Sequence, residues 1–98
     1  MVDIAFHPAA LREYQAAVDW YQQRSRAAAR RFVAQMERVL GQIAQQPDRF
    51  GWHDGEFREA ALKRFPYSVV YRVEDSGDVL VIAVAHAARE PDFWQDRA

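Results

Sequence analysis

Apolar residues recur along this chain with two different periods, and the change of period divides it into two parts. From Ala9 to Arg24 the apolar positions Leu11, Tyr14, Val18 and Tyr21 are separated by steps of 3, 4 and 3, the spacing of one helix face. Ala17 and Trp20 widen that face, while Arg12, Glu13, Gln15, Asp19 and Gln22 lie mostly away from it. Ser25 is a residue type that caps helices. The run Arg26 to Gln46 after it is rich in Ala, Gln, Arg and Met, which favour helix. Its stripe is Phe32, Met36, Val39 or Leu40, and Ile43; Gly41 weakens it locally and Pro47 ends it. A link as short as Ser25 predicts an antiparallel pair of helices.

Elsewhere the pattern reads as strand. Val2 to Phe6 is short and apolar, and His7-Pro8 ends it, with Pro8 suited to the first turn of a helix. Pro47 to Gly55 reads as loop. Phe57 to Phe65 alternates, less clearly than the segments after it. Tyr67–Val73 and Val79–Ala85 flank the polar turn Glu74-Asp75-Ser76-Gly77-Asp78, the form of a β-hairpin. The tail from Glu90 to Ala98 predicts one helical turn. The order is β-α-α-β-β-β: an α+β fold, with an antiparallel-type sheet carrying the helical hairpin on one face, in a single domain spanning 1–98.

Strict alternation places Tyr67, Val69, Tyr71 and Val73 on one face and Val70 on the other. It likewise separates Val79, Val81, Ala83 and Ala85 from Leu80, Ile82 and Val84. Both faces are apolar, so both need cover. Two helices cover one; the other falls to the loop and tail, or to another protein.

With 98 residues, half of them hydrophobic and 13% aromatic, the chain suits one globular domain. It has no cysteine, which removes thiolate chemistry and zinc–thiolate sites. Thirteen basic against 14 acidic residues give a net charge of −1, which argues against a dedicated nucleic-acid wrapper. No signal-peptide pattern and no long apolar run is present, so a cytoplasmic location is expected.

The candidates for chemistry cluster late in the chain: Arg58, Lys63, Arg64, Arg72, His86 and Arg89. His86 has the ordinary pKa of an acid–base group, and it also suits the plainer task of ending a strand. Arg89 suits a phosphate or a partner's carboxylate, or a pair with Glu90, Asp92 or Asp96. Arg58 and Arg72 suit a partner surface or cross-strand pairs with Glu59 and Glu74. Trp94 reads as a plug on the sheet more readily than as a binding aromatic. Arg24, Arg26, Arg30 and Arg31 read first as a solvated face, second as a surface for an acidic partner. His7 and His53 lack partners at ligand spacing, and there is no Gly-rich phosphate loop, so neither metal nor cofactor is expected.

The ordered set Phe6-His7-Pro8-Ala9-Ala10, Glu13, Trp20-Tyr21, Arg58, Arg64-Phe65-Pro66-Tyr67, Val70-Tyr71, His86, Arg89, Pro91 and Trp94 resembles the RelE/ParE family of bacterial toxins, almost end to end. The resemblance implies the same β-α-α-β-β-β order and the toxin of a type II toxin–antitoxin module, neutralised by a cognate antitoxin. RelE-like members cut messenger RNA on the ribosome; ParE-like members inhibit DNA gyrase without chemistry of their own. RelE-like nucleases tend to carry several basic residues on the middle strands and a Tyr or His near the C-terminus. This chain has one Lys, and Phe93 and Trp94 in its tail, so the ParE-like branch is the expectation. The alternatives are a ribosome-dependent endoribonuclease using Arg58, Lys63, Arg72, His86 and Arg89, and a degenerate toxin acting only in an antitoxin complex or operon repression. Arg58, Arg72 and Arg89 are the expected target contacts. The antitoxin is expected on Leu80, Ile82, Val84 and Trp94. Neither membrane binding nor specific DNA binding by the toxin alone is expected.

Overall fold

Two polar residues set the limits of the helical hairpin. The computed structural model describes residues 2–97. After strand β1 (Ile4–Phe6), His7 caps helix α1 (Pro8–Arg24): its Nδ1 accepts from the Ala9 N–H at 3.1 Å, with Pro8 in the first turn. Ser25 is the whole link. Its N–H closes α1 on the Tyr21 carbonyl at 2.7 Å, and its hydroxyl accepts from Ala28 at 3.1 Å to start helix α2 (Arg26–Gln45). A single extended residue forces the chain back on itself, as the short link predicted.

Four further strands follow: β2 (Trp52–Asp54), β3 (Phe57–Ala61), β4 (Tyr67–Val73) and β5 (Val79–His86). They form one sheet in the order β1-β5-β4-β3-β2. The α+β architecture is the expected one, with three refinements. The sheet is mixed, because β1 runs parallel to β5 while the other pairings are antiparallel. The expected loop contains β2 as an edge strand. And β3 stops at Ala61, after which Leu62 to Pro66 turn the chain, with Arg64 at a left-handed φ of 68°. The β4–β5 turn closes through the Glu74 N–H on the Asp78 carbonyl at 2.7 Å, and Gly77 supplies a φ of 92° that other residues rarely adopt. The tail ends in a short 3₁₀ turn (Gln95–Arg97); Ala98, the end of the expected tail turn, lies outside the described residues.

A β-bulge changes which residues share a face. Val70 pairs with Ala83 but Tyr71 pairs with Val81, so Ile82 is an extra residue in β5. Beyond it the alternation shifts by one. Val84 therefore joins Val79 and Val81 on the helix side, with Val69, Tyr71, Phe32, Met36 and Ile43. Ala83 moves to the opposite face with Ile82, Val70, Phe57 and Trp94. The expected common face of Leu80, Ile82 and Val84 is broken after Ile82.

The helix-side core is held by edge-on aromatic contacts as well as by area. Phe32 meets Phe65 and Tyr67, each with ring centroids 5.3 Å apart. On the far face Trp94, 2% exposed, lies edge-on to Phe57 at 4.9 Å. Among the described residues, no helix is long and apolar enough to cross a membrane.

Candidate functional site

The open edge of β5 and the tail beside it bring Glu13, Arg89 and Arg97 together. The edge arises because β1 is short. At His7 the chain leaves the sheet, its N–H donating to the Val81 carbonyl at 2.8 Å. From Ile82 onward, β5 has no strand on that side among the described residues. Unpaired backbone groups at a part-buried edge are costly, and two side chains meet them. Arg97 donates to the Ile82 carbonyl at 3.0 Å, and Glu13 accepts from the Val84 N–H at 3.0 Å. Glu13 and Arg97 also join each other through bonds of 2.9 and 2.7 Å, the two-pronged geometry that makes Arg–carboxylate pairs strong. Both side chains are only 16% exposed. Arg89 approaches the same carboxylate at 3.7 Å and stacks over Phe93, yet is half exposed. Helix α1, strand β5 and the tail are thus tied at one carboxylate.

Of the expected target-contacting residues, Arg58 is the most committed to scaffold. Its guanidinium donates to the Phe50 and Asp48 carbonyls at 2.6 and 3.3 Å and lies 3.7 Å over the Trp52 ring. It holds the segment between α2 and β2, and Tyr71 assists by donating to the Pro47 carbonyl at 2.6 Å. Burial raises the Tyr71 pKa, so its hydroxyl stays a donor. Arg72 pairs with Glu74 at 3.2 Å and Glu56 at 3.4 Å. His86 accepts from the Ala88 N–H at 2.9 Å and lies edge-on to Tyr67, the geometry of a strand-ending residue. Lys63 sits in the β3–β4 turn and lines a groove shared with α2 and Phe65. Among the expected antitoxin contacts, Ile82, Val84 and Trp94 are buried by the chain itself, and Leu80 is partly exposed.

A second tie was not read from the sequence. His53 on β2 places Nδ1 2.8 Å from Glu59 and Nε2 2.5 Å from Asp92, with its ring against Trp94. Both ring nitrogens face carboxylates, which only the imidazolium, a donor at both, satisfies. The hydrogen bond to Asp92 raises the His53 pKa, and the charges of Glu59 and Asp92 act in the same direction against a desolvation that lowers it. A raised folded-state pKa means that this stabilisation is complete below the unfolded value of about 6.5 and is lost as pH rises through the folded one. Wild-type thermal stability should therefore decline across that window more than that of His53→Gln, as measured by melting curves. Parallel curves would remove His53 as the titrating group.

A groove of about 430 Å³ runs beside these ties, between α1 and the end of the β4–β5 hairpin. Trp20, half exposed, and Tyr21, Tyr67 and Val84 make it apolar; Glu13, His86 and Arg89 line it as well. Among the described residues no cluster of three His, Asp or Glu side chains is placed to hold a metal ion.

A helical hairpin on a five-stranded mixed sheet is also the fold of a solved structure titled "Chromosomal ParDE TA system from P. aeruginosa". The TM-score is 0.73 at 17% identity, covering 88% of this chain and 96% of that one. No curated protein matches the sequence. The family model described as "ParE toxin of type II toxin-antitoxin system, parDE" matches residues 4–91. The chain belongs to the ParE toxin family.

Proposed function

We propose that this ParE-family toxin acts in the cytoplasm by binding DNA gyrase and blocking it without chemistry of its own, and that a cognate antitoxin neutralises it. One observation carries the choice over RNA cleavage. Three of the four cations at the candidate nuclease positions are engaged with neighbours in the chain: Arg58 with backbone carbonyls and Trp52, Arg72 with Glu56 and Glu74, Arg89 with Glu13 and Phe93. The fourth, Lys63, lies apart from them in the β3–β4 turn. His86 is turned to Ala88 and Tyr67. General acid–base chemistry needs such groups converging on one phosphate. Here they are spread around the sheet.

Purified protein is expected to inhibit gyrase supercoiling in vitro, with relief on adding the antitoxin. Codon-positioned messenger cleavage on translating ribosomes, abolished by His86→Ala or Arg89→Ala, would reverse the assignment.

Arg89 and Arg72 are the cations this reading leaves for the target, and partly exposed Leu80 is the apolar contact it leaves for the antitoxin. An exposed ion pair is worth about 0–1 kcal/mol. Arg89→Ala should thus reduce growth inhibition in cells while the melting temperature hardly moves. Arg58→Ala should lower both, because two carbonyls and the Trp52 face lose their partner. Toxicity that tracks stability equally in the two variants would return Arg89 to the scaffold.

A further inference from the structure

On the helix side of the molecule, away from the far face, four cations share one groove. It measures about 470 Å³ and lies between α2 and the β3–β4 turn; Arg31 and Arg38 line it from the helix, Lys63 and Arg64 from the turn. Arg31 and Arg38 are seven residues apart, two helical turns, so they lie on one stripe. All four are exposed, and no acidic side chain lines the groove. Among the described residues, no ion pair involves any of the four, although Arg72, Arg89 and Arg97 all have carboxylate partners.

This gathering is not a by-product of a basic protein, since the net charge is −1 with 14 acidic residues available. Like charges around one concavity repel one another, and an anion between them removes that cost. The backbone adds a second sign. Arg64 holds a left-handed φ of 68°, a conformation that is uncommon outside Gly, Asn and Asp and that collects at binding sites.

We propose that this groove is an anion site for a phosphate-bearing ligand, with Arg31, Arg38, Lys63 and Arg64 as the contacting groups. Guanidinium forks match phosphate oxygens through paired hydrogen bonds, and a flexible Lys adds a point charge. The lining favours phosphate over an acidic peptide. Strand β3 is paired with β4 along its length and with β2 at Phe57 and Arg58, so beside the turn only Ala60 and Ala61 are left at an outer edge, too short a run for a peptide strand to join. The Phe65 ring is already packed against Tyr21 and Phe32, each at 5.3 Å, so it provides no open apolar pocket. Dense positive charge is what remains, and that suits a compact ligand carrying several charges. Phosphates of a free nucleotide or of a nucleic-acid backbone share this chemistry. The proposal stands apart from the identity of the toxin's target.

Calorimetric titration with inorganic tripolyphosphate, with a short DNA duplex and with a polyglutamate peptide, all at physiological salt, tests it. Tripolyphosphate or DNA should bind, and Arg38→Gln/Lys63→Gln should weaken that binding at least tenfold. Arg49→Gln, an exposed cation elsewhere, should leave it unchanged. Tighter tripolyphosphate identifies a free phosphate ligand; tighter DNA identifies a backbone. Arg64→Gly should weaken binding while the melting temperature holds or rises, because glycine accepts that φ freely; a purely structural residue would not separate the two readouts. Absence of binding by both phosphate probes, equal loss in Arg49→Gln, or tighter polyglutamate binding through the same four residues would overturn the proposal.

Discussion

Trp94→Ala is expected to destabilise the isolated toxin by about 3–5 kcal/mol, the range for removing a buried Trp or Phe. The indole is 2% exposed and fills the far face between Phe57, Val70, Ile82 and Ala83. Neither α1 nor α2 covers that side. Without the indole the patch opens to water, and the His53 ring loses the surface it rests on. In a domain of this size 1 kcal/mol moves the melting temperature by roughly 4–8 °C, so a fall of well over about 10 °C follows. Ile82→Asp and Val84→Asp should be comparably damaging, since both side chains are internal; Leu80→Asp should be far milder. Thermal melts of the four variants check this. A Trp94→Ala protein as stable as wild type would mean that the tail does not hold the face in solution.

Glu13→Ala should come next in size, at about 2–4 kcal/mol. Hydrogen bonds to charged groups contribute about 1.5–3 kcal/mol, and removing one partner leaves the others unsatisfied. Glu13 receives the Val84 N–H, both prongs of Arg97, and the outer approach of Arg89. Its loss strands a mostly buried guanidinium and an edge amide together. Arg97→Met alone should cost less, because Glu13 keeps Val84 and Arg89. The double variant should then be more stable than the sum of the two single changes predicts, since the shared interaction is lost only once. Denaturant unfolding of the four proteins gives the coupling directly; strict additivity would show that the pair contributes nothing.

The second prediction rests on residues whose importance is invisible along the chain. Glu13 lies on the polar side of a helical pattern, and its partner Arg97 is 84 residues away. His53 and Asp92 are 39 apart. No periodicity links such pairs, so His53 reads as an isolated histidine and Glu13 as a solvated one, although Glu13 does belong to the set carrying the family resemblance. The cations of the α2 groove are similarly scattered: the sequence groups Arg31 with Arg24, Arg26 and Arg30 at the helix turn, while folding groups it with Arg38, Lys63 and Arg64.

Local rules were enough for the helical hairpin, the β4–β5 hairpin, the α+β class and the plug role of Trp94. Each follows from spacing, caps and turn residues acting within a few positions, where the physics is short in range. The same rules find two apolar sheet faces and one helical layer, and so require a cover for the second. They do not reach the parallel docking of β1, the edge strand β2 or the bulge at Ile82. A bulge needs only one extra residue in an otherwise alternating apolar run, and Val, Ile and Ala suit either face, so hydrophobicity alone does not reveal the slip. The choice is made where the strands meet: the register of β4, the early exit of β1 at His7, and the pair Glu13–Arg97 that satisfies the edge left behind.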